Sequence, residues 1–313
     1  MKVSVITPSL NPRADYLARV FSALNTQTLP KDEWEYILVD SGSEPPLKGR
    51  IDVSWHPNGR IVEAPLKALV RSRLKGMEEA AGDLLLFVDD DNVLDNDYLE
   101  AALRFMEQKP FVGVVGAFSV GEFEINPEPW MRDFFVILSA MQFCEERQLD
   151  VQYAMARQGG PWIPAGGGMV VRREVVTAYR RRIAEDPRWL EIGRIGEALV
   201  GSEDADLMFT AVDVGYAIAS TVRLRLTHLI PARRLNLSYL RRLLYASNYG
   251  TARLLVMRGW KQATVPMPTT SWQRLLKILG GLRTRSPGDQ CWAAFAQGYR
   301  DGLAGLPYNK QYQ

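Results

Sequence analysis

The chain has 313 residues, of which 47% are hydrophobic and 24% are charged, and its formal net charge is +2. These values are ordinary for a folded soluble protein, and the length suffices for one large α/β domain with a helical appendage or for two ordinary domains. The ample apolar material excludes the need for a disulfide or metal staple. The two cysteines, Cys144 and Cys291, match no metal-ligand spacing.

The same features predict a cytoplasmic protein. Both thiols are expected to be small core hydrophobes in a reducing compartment. Met1 leads directly into a strand pattern at residues 3–6, which does not resemble a signal peptide. No apolar run reaches the roughly 18 residues of a membrane span, and the run at residues 134–143 is too short.

Charge is distributed unevenly along the chain. Residues 221–313 contain fifteen Lys or Arg and two acids, a net charge of +13, so the first 220 residues carry −11. A basic C-terminal third predicts contact with something anionic, such as a phospholipid surface, a lipid-linked pyrophosphate or a nucleic acid.

The N-terminal part alternates predicted strands and helices. Residues 2–7 are alternating and β-branched, which predicts a buried first strand. Leu17, Val20, Phe21 and Leu24 form the stripe of an amphipathic helix. The next patterns predict strands at 36–40 and 51–55, a helix at 64–81 and an all-apolar strand at 84–88.

This alternation predicts a doubly wound, mostly parallel sheet flanked by helices. Such sheets bind ligands at the carboxyl ends of their strands. Polar residues follow three predicted strands at that edge, at 8–11, 40–43 and 89–92. The sequence therefore predicts a ligand site there.

The second half of the chain predicts further strands and then a helical extension. The predicted elements are a strand at 112–120, a helix at 129–147, a glycine-rich loop at 159–168, a strand at 169–171, a helix at 203–212, strands at 216–219 and 222–226, and helices at 236–257, 271–280 and 289–304. We expect a catalytic domain over 1–232, divided into halves 1–118 and 119–232, and a basic helical extension over 233–313.

Three aspartates, Asp89, Asp90 and Asp91, follow the apolar strand and are themselves followed by Asn92. Adjacent carboxylates repel one another unless a cation is present. Mg²⁺ or Mn²⁺ takes one or two carboxylates together with substrate phosphates, and Asp89 and Asp91 could face one ion together. The alternative is a solvated turn that caps a helix.

Two segments resemble glycosyltransferase family 2, namely VSVITPSLNP…YILVDSGS at 3–43 and LLLFVDDDNVL at 84–94. The similarity extends to about residue 240. It implies an inverting enzyme of the GT-A fold that uses a nucleotide-activated sugar, and the nucleotide expected from the family is UDP. It places the nucleotide-binding residues at Pro8, Ser9, Asn11, Asp40, Asp89, Asp90 and Arg71, with Arg73 as the alternative to Arg71. Arg71 could equally be a surface partner of Glu78.

The resemblance also implies the catalytic and metal residues. Asp204 matches the family's base, which takes the proton of the acceptor hydroxyl, and Glu203 matches its positioning neighbour. Both acids could instead be the first-turn acids of an ordinary helix, and Asp206 remains open as a catalytic residue. His228 matches a histidine that completes the metal site with Asp91 and Asp89, although a lone histidine is more often a packed core residue.

The acceptor side is expected in the glycine-rich loop. Trp162 could stack on a sugar, and Gly167 would allow the backbone to approach a ligand closely. A buried aromatic residue in a turn is the other interpretation of Trp162.

The tail suggests a membrane surface. Trp272, Leu275, Leu276 and Leu279 form an apolar stripe flanked by basic residues, which suits a helix in a membrane interface. We expect a glycan or lipid-linked acceptor and peripheral attachment to the inner face of an anionic membrane. A helix packed on the domain is the other interpretation of this stripe.

Two other functions fit the sequence less well. A nucleotidyltransferase usually has a glycine- and lysine/arginine-rich loop after its first strand, whereas this chain has Pro-Ser-Leu-Asn-Pro at 8–12. A nucleic-acid-binding protein would use the basic tail, but it would leave the acidic cluster without a role, and no known motif for that function is present. We therefore expect no nucleic acid partner.

Overall fold

The computed structural model describes residues 2–64, 67–139, 151–154, 164–194, 196, 198–260 and 286–312. The strands in this part of the chain are β1 (Val3–Ser9), β2 (Trp34–Asp40), β3 (Gly59–Glu63), β4 (Leu84–Phe87), β5 (Asn92–Leu94), β6 (Val112–Phe123), β7 (Val151–Ala154), β8 (Met169–Arg172) and β9 (Ala217–Ile230). The α-helices are α1 (Ala14–Asn25), α2 (Leu69–Glu79), α3 (Tyr98–Gln108), α4 (Arg173–Glu185), α5 (Glu203–Asp213), α6 (Leu237–Met257) and α7 (Pro287–Leu303).

The strands form one sheet in the order β3-β2-β1-β4-β8-β6-β9-β5, with β7 also paired to β9. The first four strands are parallel, as the sequence predicts. β8 enters between β4 and β6 and is antiparallel to both. β6 and β9 are parallel to each other, and the short strands β5 and β7 lie antiparallel to β9. The sheet is therefore mixed around a parallel nucleus.

Helices cover both faces of this sheet. Successive strand residues point to opposite faces, so Val5 packs with α1 and α3 while Ile6 packs with α2, α4 and α5. Strands that are buried on both faces read as continuous apolar runs, which is the pattern of β4.

Several predicted elements differ in the structure. The predicted strand at 51–55 is wrong: Ile51, Val53 and Trp55 pack against the core from a turn region, and β3 follows it at Gly59. The predicted helix at 129–147 is a 3₁₀ helix, Pro129–Phe134, followed by turns to residue 139, beyond which the prediction lies outside the described residues. The two predicted strands at 216–226 are one strand, β9, because a register shift opposite β6 lets the ladder continue.

The C-terminal helices α6 and α7 pack against each other and onto the sheet domain. Leu240 and Leu244 of α6 join Met131 and Phe134 in an apolar cluster with Trp292 of α7. Cys291 is buried in the same cluster, as predicted, whereas Cys144 lies outside the described residues. The predicted amphipathic helix at 271–280 also lies outside them. None of the helices that the structure describes combines the length and the apolar character needed to cross a bilayer.

Candidate active site

The loops after β1, β2 and β4 meet at the carboxyl edge of the parallel strands. Ser9 and Asp40 are register partners at the ends of β1 and β2. The Ser9 hydroxyl donates to Oδ2 of Asp90, just after β4, at 2.5 Å. The predicted gathering of polar residues at this edge is therefore present.

The first two loops are joined by hydrogen bonds around Asn11. Its backbone N–H donates to Ser43 Oγ at 2.9 Å, and its side-chain oxygen accepts from the N–H of Glu44 at 2.9 Å. Asn11 has a φ of 48°, a left-handed conformation that Asn tolerates better than most residues. This link fixes the two predicted nucleotide loops against each other.

Asp40 is buried and holds the second loop. Its carboxylate accepts backbone N–H groups from Ser43 and Leu47, each at 2.8 Å. Burial alone would raise the pKa of Asp40, but the backbone donors outweigh it and lower the pKa from its ordinary value. Asp40 is therefore a fixed negative charge in the wall of the candidate nucleotide pocket.

The acidic triplet is divided between two environments. Burial, together with the carboxylates of Asp91 and Asp89, raises the pKa of Asp90. Burial would also raise the pKa of Asp91, but His228 and Arg234 outweigh it and lower the pKa. The structure thus offsets the charge of Asp91 with basic groups and leaves Asp90 among carboxylates.

His228 reaches Asp91 because β5 pairs with β9. Asn92 is the register partner of His228, and the N–H of Leu229 donates to the Asp91 carbonyl at 2.8 Å. Nε2 of His228 lies 3.5 Å from Oδ2 of Asp91, and Nδ1 lies 3.3 Å from the carbonyl of Ser139. Because a carbonyl can only accept, Nδ1 carries the proton in the neutral ring and Nε2 carries the lone pair.

This pair fits a divalent cation. Metal-binding histidines usually donate their other N–H to a carbonyl or carboxylate, as His228 does to Ser139. Two ligand atoms at right angles and about 2.1 Å from an ion lie about 3 Å apart, close to the separation found here. Asp89 turns instead toward Arg73, and in the described residues no three His, Cys, Asp or Glu side chains form a metal-holding group. The predicted three-ligand set is therefore not assembled.

A second acidic group stands at the start of α5. Glu203 is buried, and its Oε1 lies 3.3 Å from Nη1 of Arg73. Asp204 is half-buried and accepts the N–H of Ala205 at 2.8 Å. Burial raises the pKa of Glu203 and of Asp204, although Arg73 opposes both shifts. Carboxylates with raised pKa values at a helix start suit proton transfer.

Arg73 connects the two acidic groups. It is 5% exposed, and its Nη2 lies 3.5 Å from Oδ1 of Asp89 while Nη1 faces Glu203. The Nε of Arg73 and the Oε2 of Glu203 are buried without hydrogen-bond partners in the described residues. Spare polar atoms of this kind are typical of a site that completes its hydrogen bonds with a ligand.

The glycine loop passes between these groups. A Cβ on Gly166 would lie 2.7 Å from Nη2 of Arg73 and 3.0 Å from Oδ2 of Asp204. A Cβ on Gly167 would lie 2.1 Å from Oδ1 of Asn92, so the buried Asn92 side chain would have to move. Glycine therefore lets the loop approach the acids without displacing these side chains. The acceptor contact of Gly167 stays a prediction, and Trp162 lies outside the described residues.

The comparisons with known proteins identify the family. The family model described as Glycosyl transferase family 2 matches residues 4–180, which is more than half of the chain. The chain belongs to glycosyl transferase family 2.

Two curated relatives are also glycosyltransferases by name. Glycosyltransferase AglE of Haloferax volcanii is 29% identical over 101 residues, which is 31% of this chain and 33% of AglE. The putative teichuronic acid biosynthesis glycosyltransferase TuaG of Bacillus subtilis is 34% identical over 111 residues, which is 34% of this chain and 42% of TuaG. The match thus spans less than half the length of each relative.

Solved structures show the same fold. S. aureus TarS 1-349 matches with a TM-score of 0.50 and 15% identity, over 99% of this chain and 93% of that one, and its complex with UDP gives the same values. At this identity the likeness is one of fold, and it confirms the predicted GT-A architecture.

Within this family 2 chain, the two arginines of α2 lie in different environments. Arg71, the preferred nucleotide residue in the sequence, is exposed and lines a cavity of about 450 Å³ on the protein surface with Glu63, Lys75 and Arg180. Arg73, in contrast, is buried and forms ion pairs with Asp89 and Glu203. The signal was present in the sequence, because Val70, Arg73 and Met77 follow the spacing of one buried helix face.

Asp206, which the sequence left open as a catalytic residue, has a structural role. It is fully buried and forms ion pairs with Arg182 and with Arg258, the latter at 2.7 Å. Arg258 follows α6, so this pair ties the C-terminal helices to α5.

The sequence did not single out Arg234 for the metal site, yet its Nη2 lies 3.1 Å from Oδ2 of Asp91.

Proposed function

We propose that the chain is an inverting glycosyltransferase that moves a sugar from a nucleotide diphosphate donor, a UDP-sugar, to a hydroxyl group of a glycan or lipid-linked acceptor. Arg73 supports the proposal most directly, because it bridges Asp89, which follows β4, and Glu203, which begins α5, at the carboxyl edge of the sheet. Family membership supports it, as does a structural neighbour of the same fold that binds UDP.

The donor pocket is assigned to the strand-end loops. Pro8, Ser9 and Asn11 line it on one side, and Asp40 closes it beside the nucleotide base. Asp89 and Asp90 face the donor from β4. Arg73 replaces Arg71 as the basic residue of α2 that serves this pocket, since it is held at the acids.

The donor brings more negative charge to a site that is already acidic. Five carboxylates, at 89–91 and 203–204, stand with Arg73, Arg194 and Arg234 in the described part of the site. Mn²⁺ or Mg²⁺ held by Asp91 and His228 would offset the charge of the diphosphate and of the departing UDP. Because the protein would supply only these two ligands, the ion would keep coordination positions for phosphate oxygens.

Asp204 is assigned as the general base. Its half-buried carboxylate can receive a proton from the acceptor, whereas Glu203 is 4% exposed and held by Arg73. The acceptor oxygen forms a bond to the anomeric carbon as the bond to the UDP oxygen breaks. The hydroxyl proton passes to Asp204, and the anomeric configuration inverts. Glu203 positions Arg73, and the loop at Gly167 lies on the acceptor side.

A thermal-shift panel tests this proposal. We expect UDP in the presence of Mn²⁺ to raise the unfolding temperature, because a ligand present at about 100 times its Kd stabilises the folded state by about 2.7 kcal/mol. GDP, CDP and ADP serve as controls for the base. Absence of a shift with every nucleotide in Mn²⁺ would contradict the proposal.

A further inference from the structure

Arg234 occupies the gap between the two proposed metal ligands. It ends the 3₁₀ turn Ala232–Arg234 that follows β9. Its Nη2 lies 3.1 Å from Oδ2 of Asp91, and its Nη1 lies 3.2 Å from Nε2 of His228. One guanidinium therefore spans the carboxylate and the imidazole, with its side chain 20% exposed.

The imidazole of His228 can bind either Arg234 or a metal ion, but not both at once. Nδ1 of His228 faces the Ser139 carbonyl, so Nε2 carries the single available lone pair of the neutral ring. Arg234 donates an N–H to that lone pair. A metal ion would need the same lone pair, so Arg234 in this position and a metal on His228 exclude each other.

We propose that Arg234 is a resident counter-charge that a divalent cation displaces, and that the displaced guanidinium then binds the diphosphate of the donor. The proposal rests on the proposed function. Asp91 is 8% exposed, and a buried carboxylate without a cation is costly. Arg234 supplies the cation before metal arrives. Once the metal takes over Asp91, the freed guanidinium lies beside the anionic donor, and its planar fork suits a phosphate.

Metal binding without nucleotide tests the first half. Free Mn²⁺ is measured by electron paramagnetic resonance during titration of wild type, Arg234→Gln and Arg233→Gln. Arg233 is the matched control, because it is the preceding residue of the same turn and is exposed. We expect Arg234→Gln to bind Mn²⁺ roughly tenfold more tightly, since a charged hydrogen-bonded competitor is removed, while Arg233→Gln stays near wild type.

The proposed displacement of Arg234 by metal is overturned if Arg234→Gln binds Mn²⁺ as tightly as wild type or more weakly. It is also overturned if neither wild type nor Arg234→Gln binds Mn²⁺. Equal tightening in Arg233→Gln also overturns it, because general charge would then explain the effect. Arg234→Lys serves as a second variant should Arg234→Gln fail to fold. A lysine can contact one partner but not span both, so an intermediate Mn²⁺ affinity is expected.

UDP binding in saturating Mn²⁺ tests the second half. We expect Arg234→Gln to weaken UDP binding roughly tenfold, the opposite direction to its effect on Mn²⁺, with no change in Arg233→Gln. A residue that merely supports the fold would weaken both ligands. Unchanged UDP affinity in Arg234→Gln overturns the diphosphate contact. Failure of wild type to bind UDP refutes the proposed function, while the Mn²⁺ titration still decides displacement.

Discussion

Replacement of Asp204 by Asn is expected to lower the rate of sugar transfer by about 10²- to 10⁴-fold, the usual contribution of a general base, while UDP affinity stays near that of wild type. The amide keeps the shape of the side chain and its contact with the N–H of Ala205, but it cannot take the acceptor proton. The measurement is UDP release from the donor in the presence of acceptor, together with UDP binding by calorimetry.

Asp213→Asn provides the control for this result. Asp213 ends the same helix, and its carboxylate pairs with Arg258 rather than with the acidic site. We expect near wild-type transfer from this variant. If Asp204→Asn retained wild-type turnover, the assignment of the base would be wrong.

Replacement of Arg73 by Met is expected to destabilise the protein by about 3–5 kcal/mol, the usual cost of removing one partner of a buried ion pair. Arg73 and Glu203 are both about 5% exposed or less, so little solvent is available to screen Glu203 once its partner is gone. Asp89 would lose the same cation. Urea denaturation measures the change in the free energy of unfolding.

Arg71→Met is the matched control, because it removes the same side chain two residues earlier on α2, where the residue is exposed. We expect a change within about 0.5 kcal/mol there. The double variant Arg73→Met with Glu203→Gln should recover part of the stability, since the stranded charge is also removed. Equal losses in Arg73→Met and Arg71→Met would show that the bridge contributes nothing.

The part of the site that lies on parallel strands could be predicted from sequence. Strand patterns ending at Thr7, Asp40 and Val88 place their following loops at one edge wherever the strands are parallel, and the structure has these strands parallel. The succession of residues along the chain was enough for this prediction, because the polar residues directly follow the apolar residues of each strand.

The cation contacts depended on information that no local pattern holds. Arg234 meets Asp91 only through the pairing of β5 with β9 and the turn that follows β9. The predicted strand at 51–55 is wrong for a related reason. Its apolar side chains pack onto the core, but the backbone that pairs with β2 is that of β3. Alternating apolar residues indicate burial, and a strand needs a partner as well.

The proposed function requires one edge of the sheet to bind a nucleotide diphosphate through a cation on Asp91 and His228. A crystal structure with Mn²⁺ and UDP tests it most directly, because anomalous scattering locates manganese independently of the rest of the map. We expect a manganese peak in coordination contact with Asp91, His228 and the diphosphate, with Arg234 moved off the histidine. UDP bound at this edge without manganese, and with Arg234 still on His228, would contradict it.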